Sequence, residues 1–164
     1  MDIKIRKASA DDAELIANAR VALLDEASGP LTGEEKSGLY ASNKACIQEG
    51  LRSPSLVSFL AFDGDTLAGT CSATLYQVMP GIKLPEGKQA YLQNMYVAPE
   101  YRRRGIGRLL LAEVIKEAAE RGHTKIILHA SDMGRILFSK FGFAEENVAL
   151  THMVYHAKQG GGVD

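Results

Sequence analysis

The stretch VAPEYRRRGIGRLLL, Val97 to Leu111, decides how the chain is read. Before it, Gln89 to Val97 is an apolar, strand-like run. After it, Ile106, Leu110, Val114 and Ala118 recur every fourth residue, and Leu111, Ile115 and Ala119 widen the stripe. That spacing predicts a long amphipathic helix reaching Glu120, closed by Arg121-Gly122. Between strand and helix stand Arg102, Arg103 and Arg104, then Gly105 and Gly107. Like charges repel, and each glycine near a helix start costs about 1 kcal/mol against alanine. The arrangement makes sense if an anion sits there. A helix N-terminus presents unpaired N–H groups and about half a positive charge. Glycines let a phosphate approach those amides, and Arg102, Arg103, Arg104 and Arg108 add charge beside them. The segment is expected to be a pyrophosphate cradle.

Two other phosphate cradles are excluded. No Gly-x-x-x-x-Gly-Lys-Ser/Thr run occurs, and after Gly105-Ile106-Gly107 position 110 is leucine rather than the third glycine of a dinucleotide fingerprint.

Outward from this stretch, Ile3 to Arg6 alternates as a first strand. Ser9 or Asp11 can cap a helix over Asp12 to Asp25, with Ala13, Ile16, Ala17 and Leu24 inward and Ser28-Gly29-Pro30 ending it. A second helix is expected over Gly33 to Leu51. Leu56–Phe62 and Leu67–Val78, separated by Asp63-Gly64-Asp65, form a hairpin signal. Lys125–Ala130 reads as a strand, Asp132–Lys140 as a short helix, and Phe143–Tyr155 as one or two final strands. The order βααβββαβαβ(β) implies an α/β (α+β) single-domain fold, with a mixed, mostly antiparallel sheet carrying helices on both faces.

The chain has 164 residues, 46% apolar and 24% charged, with a formal net charge of −1. This is the balance of an ordinary globular domain, and it argues against a broad basic surface for nucleic acid. With no internal repeat or linker, residues 1–158 read as one domain and 159–164, rich in glycine, as a disordered tail. Cys46 and Cys71 are too few for a disulfide framework or a structural zinc site. The opening MDIKIRKASADD lacks an apolar core, and no run approaches the ~20 apolar residues of a membrane span. A cytoplasmic location without membrane contact is expected. His152 and His156 lie four apart in a strand-like run, with no carboxylate or cysteine to complete a metal site, so no metal is expected.

Arg102-x-x-Gly105-x-Gly107 resembles the acyl-CoA signature, Arg/Gln-x-x-Gly-x-Gly/Ala, of the GCN5-related N-acetyltransferases (GNAT). NMYVAPEY before it, RLLLAEVIKEA after it and ASDMGRILFSKFGF, Ala130 to Phe143, resemble the same family. The element order agrees over essentially the whole chain, less informatively before Leu56. The resemblance implies a GNAT-like acyl-CoA N-acyltransferase fold with acetyl-CoA as co-substrate. It implies that the strand ending at Val97 splays from its parallel neighbour, often at a bulge, and that the pantetheine arm lies in the gap. The backbone of Met95 and Val97 would then bond pantetheine, in the manner of a strand added to a sheet edge. A backbone amide near Met95 or Tyr96 would stabilise the oxyanion. Arg102, Arg103, Arg104, Gly105, Ile106, Gly107 and Arg108 would surround the pyrophosphate. In the second motif Ser131 and Arg135 fall beside the cofactor, and Phe138 forms an apolar wall. Homodimers are frequent in the family, so one is carried as an expectation.

Attack on the thioester needs a neutral amine. For a lysine-like amine with pKa ~10.4, deprotonation at pH 7 costs about 4.6 kcal/mol, so a general base helps. Three residues are candidates: Glu26 near the end of the first helix, Tyr91 where some relatives carry glutamate, and Asp132 after the fifth strand. Nothing in the sequence pairs Cys71 with a base, and His129, alternating with Ile127, reads as a sheet residue. Phe138 departs from the family, because many members have there a tyrosine that protonates the departing thiolate. The thiol, of pKa about 8.5, leaves at a cost of only about 2 kcal/mol at pH 7, which water or a serine can cover.

These readings point to an N-acetyltransferase acting on the primary amine of a small molecule. Alternatives are a non-catalytic acyl-CoA-binding module, a protein lysine or N-terminal acetyltransferase, and a polyanion-binding domain using Arg102–Arg104.

Overall fold

The computed structural model describes residues 2–146. The final strands expected over Phe143–Tyr155, His152, His156 and the 159–164 tail lie wholly or largely outside the described residues.

Nine elements follow one another: β1 (Ile3–Lys7), α1 (Ala13–Ser28), α2 (Gly33–Arg52), β2 (Leu56–Asp63), β3 (Thr66–Gln77), β4 (Lys88–Val97), α3 (Ile106–Glu120), β5 (Lys125–Ile127) and α4 (Asp132–Lys140). Short 3₁₀ turns precede α1 and follow β4. The strands lie in sequence order in one sheet, antiparallel except for the parallel β4–β5 pair. Parallel strands need a crossover, and α3 supplies it.

Local chemistry explains the boundaries. Gly64 at φ +60° makes a two-residue turn between β2 and β3. α2 starts in a capping box: Thr32 Oγ1 accepts from the Glu35 N–H at 3.2 Å, and the Thr32 N–H donates to Glu35 Oε2 at 2.7 Å. α1 runs to Ser28 rather than stopping at Asp25, because Gly29 at φ +87° and Pro30 are the actual breakers.

Strand alternation assigns two faces. Val57, Phe59, Ala61, Ala73, Leu75, Ala90 and Leu92 pack against Ile106, Leu110, Leu111, Val114 and Ala118 of α3. Of the wider stripe, Leu111 is buried, Ile115 is half-buried and Ala119 is exposed. Each large side chain fully buried here contributes roughly 1.5–3 kcal/mol. On the opposite face Leu60 meets Ile16 and Ala17 of α1 and Ile47 of α2. The helices therefore cover both faces.

β1 ties the two layers with successive residues. Arg6 makes two bonds to Asp12 before α1, at 2.8 and 2.7 Å, and Lys7 reaches Glu117 on α3 at 2.6 Å.

The β5 strand is shorter than expected, Lys125–Ile127 rather than Lys125–Ala130. β4 pairs with it only at Gln89, Ala90 and Tyr91. Beyond Tyr91 a β-bulge interrupts the pairing of β4 with β3. Thr70 faces Tyr96 and Ser72 faces Gln93, so Asn94 and Met95 together oppose Cys71. Asn94 takes the left-handed φ of +55° that this needs. A bulge bends its strand and increases its twist. From Leu92 to Val97, β4 has no β5 partner.

Candidate active site

The gap between β4 and β5 opens beside the start of α3. Gly105 is the N-cap residue at φ +82°, and no side chain caps the helix. The first amides of α3 are therefore left for an external acceptor. A Cβ at Gly105 would meet nothing within 4 Å, so glycine is there for its backbone conformation. A Cβ at Gly107 would lie 3.5 Å from Leu137, 3.7 Å from Val97 and 3.9 Å from the Met95 sulfur. Gly107 thus faces the floor of the gap, where the side chains of Met95 and Val97 rest on the α3-side core. Ile106 is buried and anchors the helix start.

Alternation also orients the backbone of β4. The Ala98 N–H donates to Ala68 O at 2.9 Å, so Tyr96, two residues earlier, turns its polar groups toward β3 and Val97 turns its own toward the gap. Arg102 Nε donates to Val97 O at 2.8 Å. The same guanidinium grips both carboxylate oxygens of Glu26, at 2.8 and 2.7 Å. The first cradle arginine is thus already paired, which lessens the repulsion among its neighbours, and the end of α1 is clasped to the cradle. Tyr96 lies close enough to Glu26 and Arg102 to feel both charges; burial first, then Glu26, push its hydroxyl pKa up. Arg103 is exposed at φ +60°. Arg104 lies over the Tyr101 ring and Arg108 over Phe141, each 5.9 Å from the centroid.

α4 flanks the same gap. Ser131 is its N-cap, with Oγ accepting from the Gly134 N–H at 3.2 Å. Asp132 is exposed in the first turn. Arg135 pairs with Glu145 at 3.2 Å on the surface. Phe138 is buried, edge-on to Phe143 at 5.7 Å.

Tyr91 stands on the last residue pair before β4 and β5 part. Its hydroxyl lies 3.0 Å from His129 Nδ1, with the rings edge to face. Ala90 and Leu92 face α3, so Tyr91 and Gln93 face the α1–α2 side. The sequence did not single out His129, Asn94 or Gln93 as candidates. His129 is hidden by its alternation with Ile127. The signal for Asn94 is weak: asparagine is enriched at positive φ, but nothing local marks the bulge.

Cys71 is fully buried, which pushes its thiol pKa well up and leaves it no thiolate character. Among the described residues no cluster of three or more His, Cys, Asp or Glu residues could hold a metal ion, and no helix is long and apolar enough to cross a membrane.

A crossover helix begins with uncapped amides on an Arg-x-x-Gly-x-Gly loop, beside the stretch of β4 that has no β5 partner. Residues 20–143 match the model of the acetyltransferase (GNAT) family. The chain belongs to that family. This GNAT chain is 29% identical over 100 residues to YsnE of Bacillus subtilis (strain 168), named an uncharacterized N-acetyltransferase. The match covers 58% of this chain and 60% of that protein. It is 28% identical over 109 residues to YedL of Escherichia coli (strain K12), similarly named, with 63% of each chain covered. It thus spans less than two thirds of the length of these curated relatives. A predicted acetyltransferase of Clostridium acetobutylicum, solved with acetyl-CoA, superposes with a TM-score of 0.81 at 26% identity, covering 93% of this chain and 96% of that one. A GCN5-related N-acetyltransferase of Ralstonia eutropha JMP134 gives 0.79 at 25% identity, covering 93% and 99%.

Proposed function

We propose that this protein transfers the acetyl group of acetyl-CoA directly to a primary amine of a small molecule. One observation carries the reading: the uncapped start of α3 and the unpaired edge of β4 lie side by side. The chain's own groups fit the co-substrate. The α3 amides with Arg103, Arg104 and Arg108 accept a diphosphate, and the gap-facing backbone at Met95 and Val97 accepts an extended amide-bearing arm. Acetyl-CoA supplies an acyl group activated as a thioester. Amine nitrogen bonds to the carbonyl carbon, the carbon–sulfur bond breaks with its electron pair going to sulfur, and the nitrogen sheds a proton while the departing thiolate takes one up. The buried Cys71 thiol, its pKa pushed well up, is not offered as a nucleophile, and the transfer needs no covalent enzyme intermediate.

The amine's proton needs an acceptor. Glu26 is engaged by Arg102 and Asp132 is exposed on α4, so we assign the task to Tyr91 with His129 behind it. The Tyr91 hydroxyl takes the proton as it passes its own to His129 Nδ1. Phe138 has no proton to give, so solvent protonates the leaving thiolate.

Thiol release from acetyl-CoA with a panel of amines tests the reading. Tyr91→Phe is expected to lower kcat at pH 7 by about 10²–10⁴-fold, with recovery at higher pH as the amine deprotonates in solvent. Gly107→Glu, which puts a carboxylate at the cradle, is expected to abolish acetyl-CoA binding while leaving the fold. Wild-type affinity in Gly107→Glu, or acetyl-CoA binding without turnover of any amine, would overturn the assignment.

A further inference from the structure

A cavity of about 370 Å³ lies between the α1–α2 layer and the middle of β3 and β4, at Ser72, Thr74, Gln93 and Asn94. Its floor is polar. Gln93 Nε2 donates to Thr74 Oγ1 at 2.6 Å, and beside it Asn94 is 6% exposed. Neither the oxygen nor the nitrogen of the Asn94 amide has a hydrogen-bond partner among the described residues. Buried amides are almost always satisfied, and leaving one unpaired costs about 1–3 kcal/mol. The bulge explains a residue tolerant of positive φ at this position. Glycine would meet that need without burying two polar atoms, so the amide is there for a partner from outside the chain.

The cavity wall carries a second unpaired group. Arg20 on α1 is half-buried in the lining and forms no ion pair or hydrogen bond with any described residue. The only other charge in the lining is Glu49, an exposed side chain on α2. Asn43 already gives its Nδ2 to Leu39 O at 2.8 Å. The unspent capacity is therefore one guanidinium, with five donors in a planar fork, and one amide that can both accept and donate. A guanidinium fork matches a carboxylate. Asn94 lies three residues along β4 from Tyr91, about 10 Å at strand rise, at the edge of the gap.

We propose that this cavity is the acceptor pocket and that its substrate is a small amine carrying one carboxylate, of the α-amino acid class. Arg20 holds the carboxylate, and the Asn94 carbonyl orients the amine toward the thioester. Glu49 disfavours a second acid group. The volume, at the low end of ligand pockets of roughly 300–1,000 Å³, suits a molecule of that size. The inference rests on the acetyltransferase reading above.

Two measurements keep the two readings apart. One is kcat/KM for thiol release from acetyl-CoA with α-amino acids, their amides and the corresponding decarboxylated amines. The other is calorimetric binding of the same compounds to the protein saturated with CoA, which needs no turnover. Amino acids are expected to be preferred over their decarboxylated amines by 10-fold or more in both. Arg20→Met is expected to erase that preference, with a loss of about 10- to 100-fold on the acids alone. Arg20→Lys restores part of it, and acetyl-CoA affinity stays unchanged in both variants. Asn94→Gly keeps the left-handed bulge and removes the amide; it is expected to weaken every bound amine while the melting temperature holds. Equal binding of amines with and without a carboxylate, or an Arg20→Met effect shared by both, overturns the proposal. Preferred binding of acids with no acetyl transfer to any amine leaves the pocket assignment standing and removes the catalytic one.

Discussion

The two faces of the sheet are built on different principles. The face under α3 is apolar: Val57, Phe59, Ala73, Leu92, Leu110 and Val114 fill it. The face under α1 and α2 starts apolar at Leu60 and Ile16, then turns polar toward β4. There Ser58, Thr70, Ser72 and Asn94 are buried, with Ser58 Oγ 2.8 Å from Ser72 Oγ and 3.4 Å from Thr70 Oγ1. A polar layer gains less from burial than an apolar one and must satisfy every donor and acceptor. The contrast says that the α3 face carries more of the apolar stabilisation than the α1–α2 face.

Removing contacts on the apolar face should cost most. Leu110 is fully buried between α3 and β3, and Leu110→Ala is expected to lower unfolding free energy by about 2–5 kcal/mol in urea titration. A loss below 1 kcal/mol would mean that this face is not the stabilising one.

The ties from β1 come next. Arg6 lowers the Asp12 carboxyl pKa, and Lys7, followed by Arg121, lowers that of Glu117. For a carboxylate with a depressed folded pKa, the stabilisation is complete above the unfolded value, near 4, and disappears as pH falls through the folded value. Stability is therefore expected to fall with acid below about pH 4, from both faces. Asp12→Asn, which also releases the Ser9 N–H bonded at 2.8 Å, is expected to cost about 1–2 kcal/mol at pH 7 and to flatten the acid limb of a pH–stability curve. An unchanged limb would assign the acid sensitivity to the Glu117 side alone.

The smallest effect should come from the polar layer. Ser58→Ala loses the hydroxyl contacts to Ser72 and Thr70 and a 3.3 Å bond to Cys71 O, and is expected to cost about 1 kcal/mol by thermal denaturation. A loss as large as that at Leu110 would erase the distinction between the faces.

Much of the architecture was legible because its signals are local. Leu110, Val114 and Ala118 repeat at helical period, Gly64 makes the β2–β3 turn, and Arg121-Gly122 ends α3 with Gly122 at φ +83°. The loop leading into α3 was legible for the same reason, since Arg102 to Arg108 are neighbours in sequence. The rest of the site was not. Tyr91 and His129 are 38 residues apart, and Arg102 and Glu26 are 76 apart. Neither pair follows from a periodicity, because each forms only when strands and helices are laid side by side. Glu26 read as a possible base for its position on α1, yet the fold spends it on Arg102.

The amino-acid sequence by itself determined the order of elements, the two apolar stripes and a helix start suited to an anion, because backbone chemistry and side-chain period act over a few residues. Only the tertiary structure decided where β4 leaves β5, which buried amide lacks a partner and which arginine is already held. These depend on strand register across the sheet, where a single extra residue at Asn94 changes what every later side chain meets.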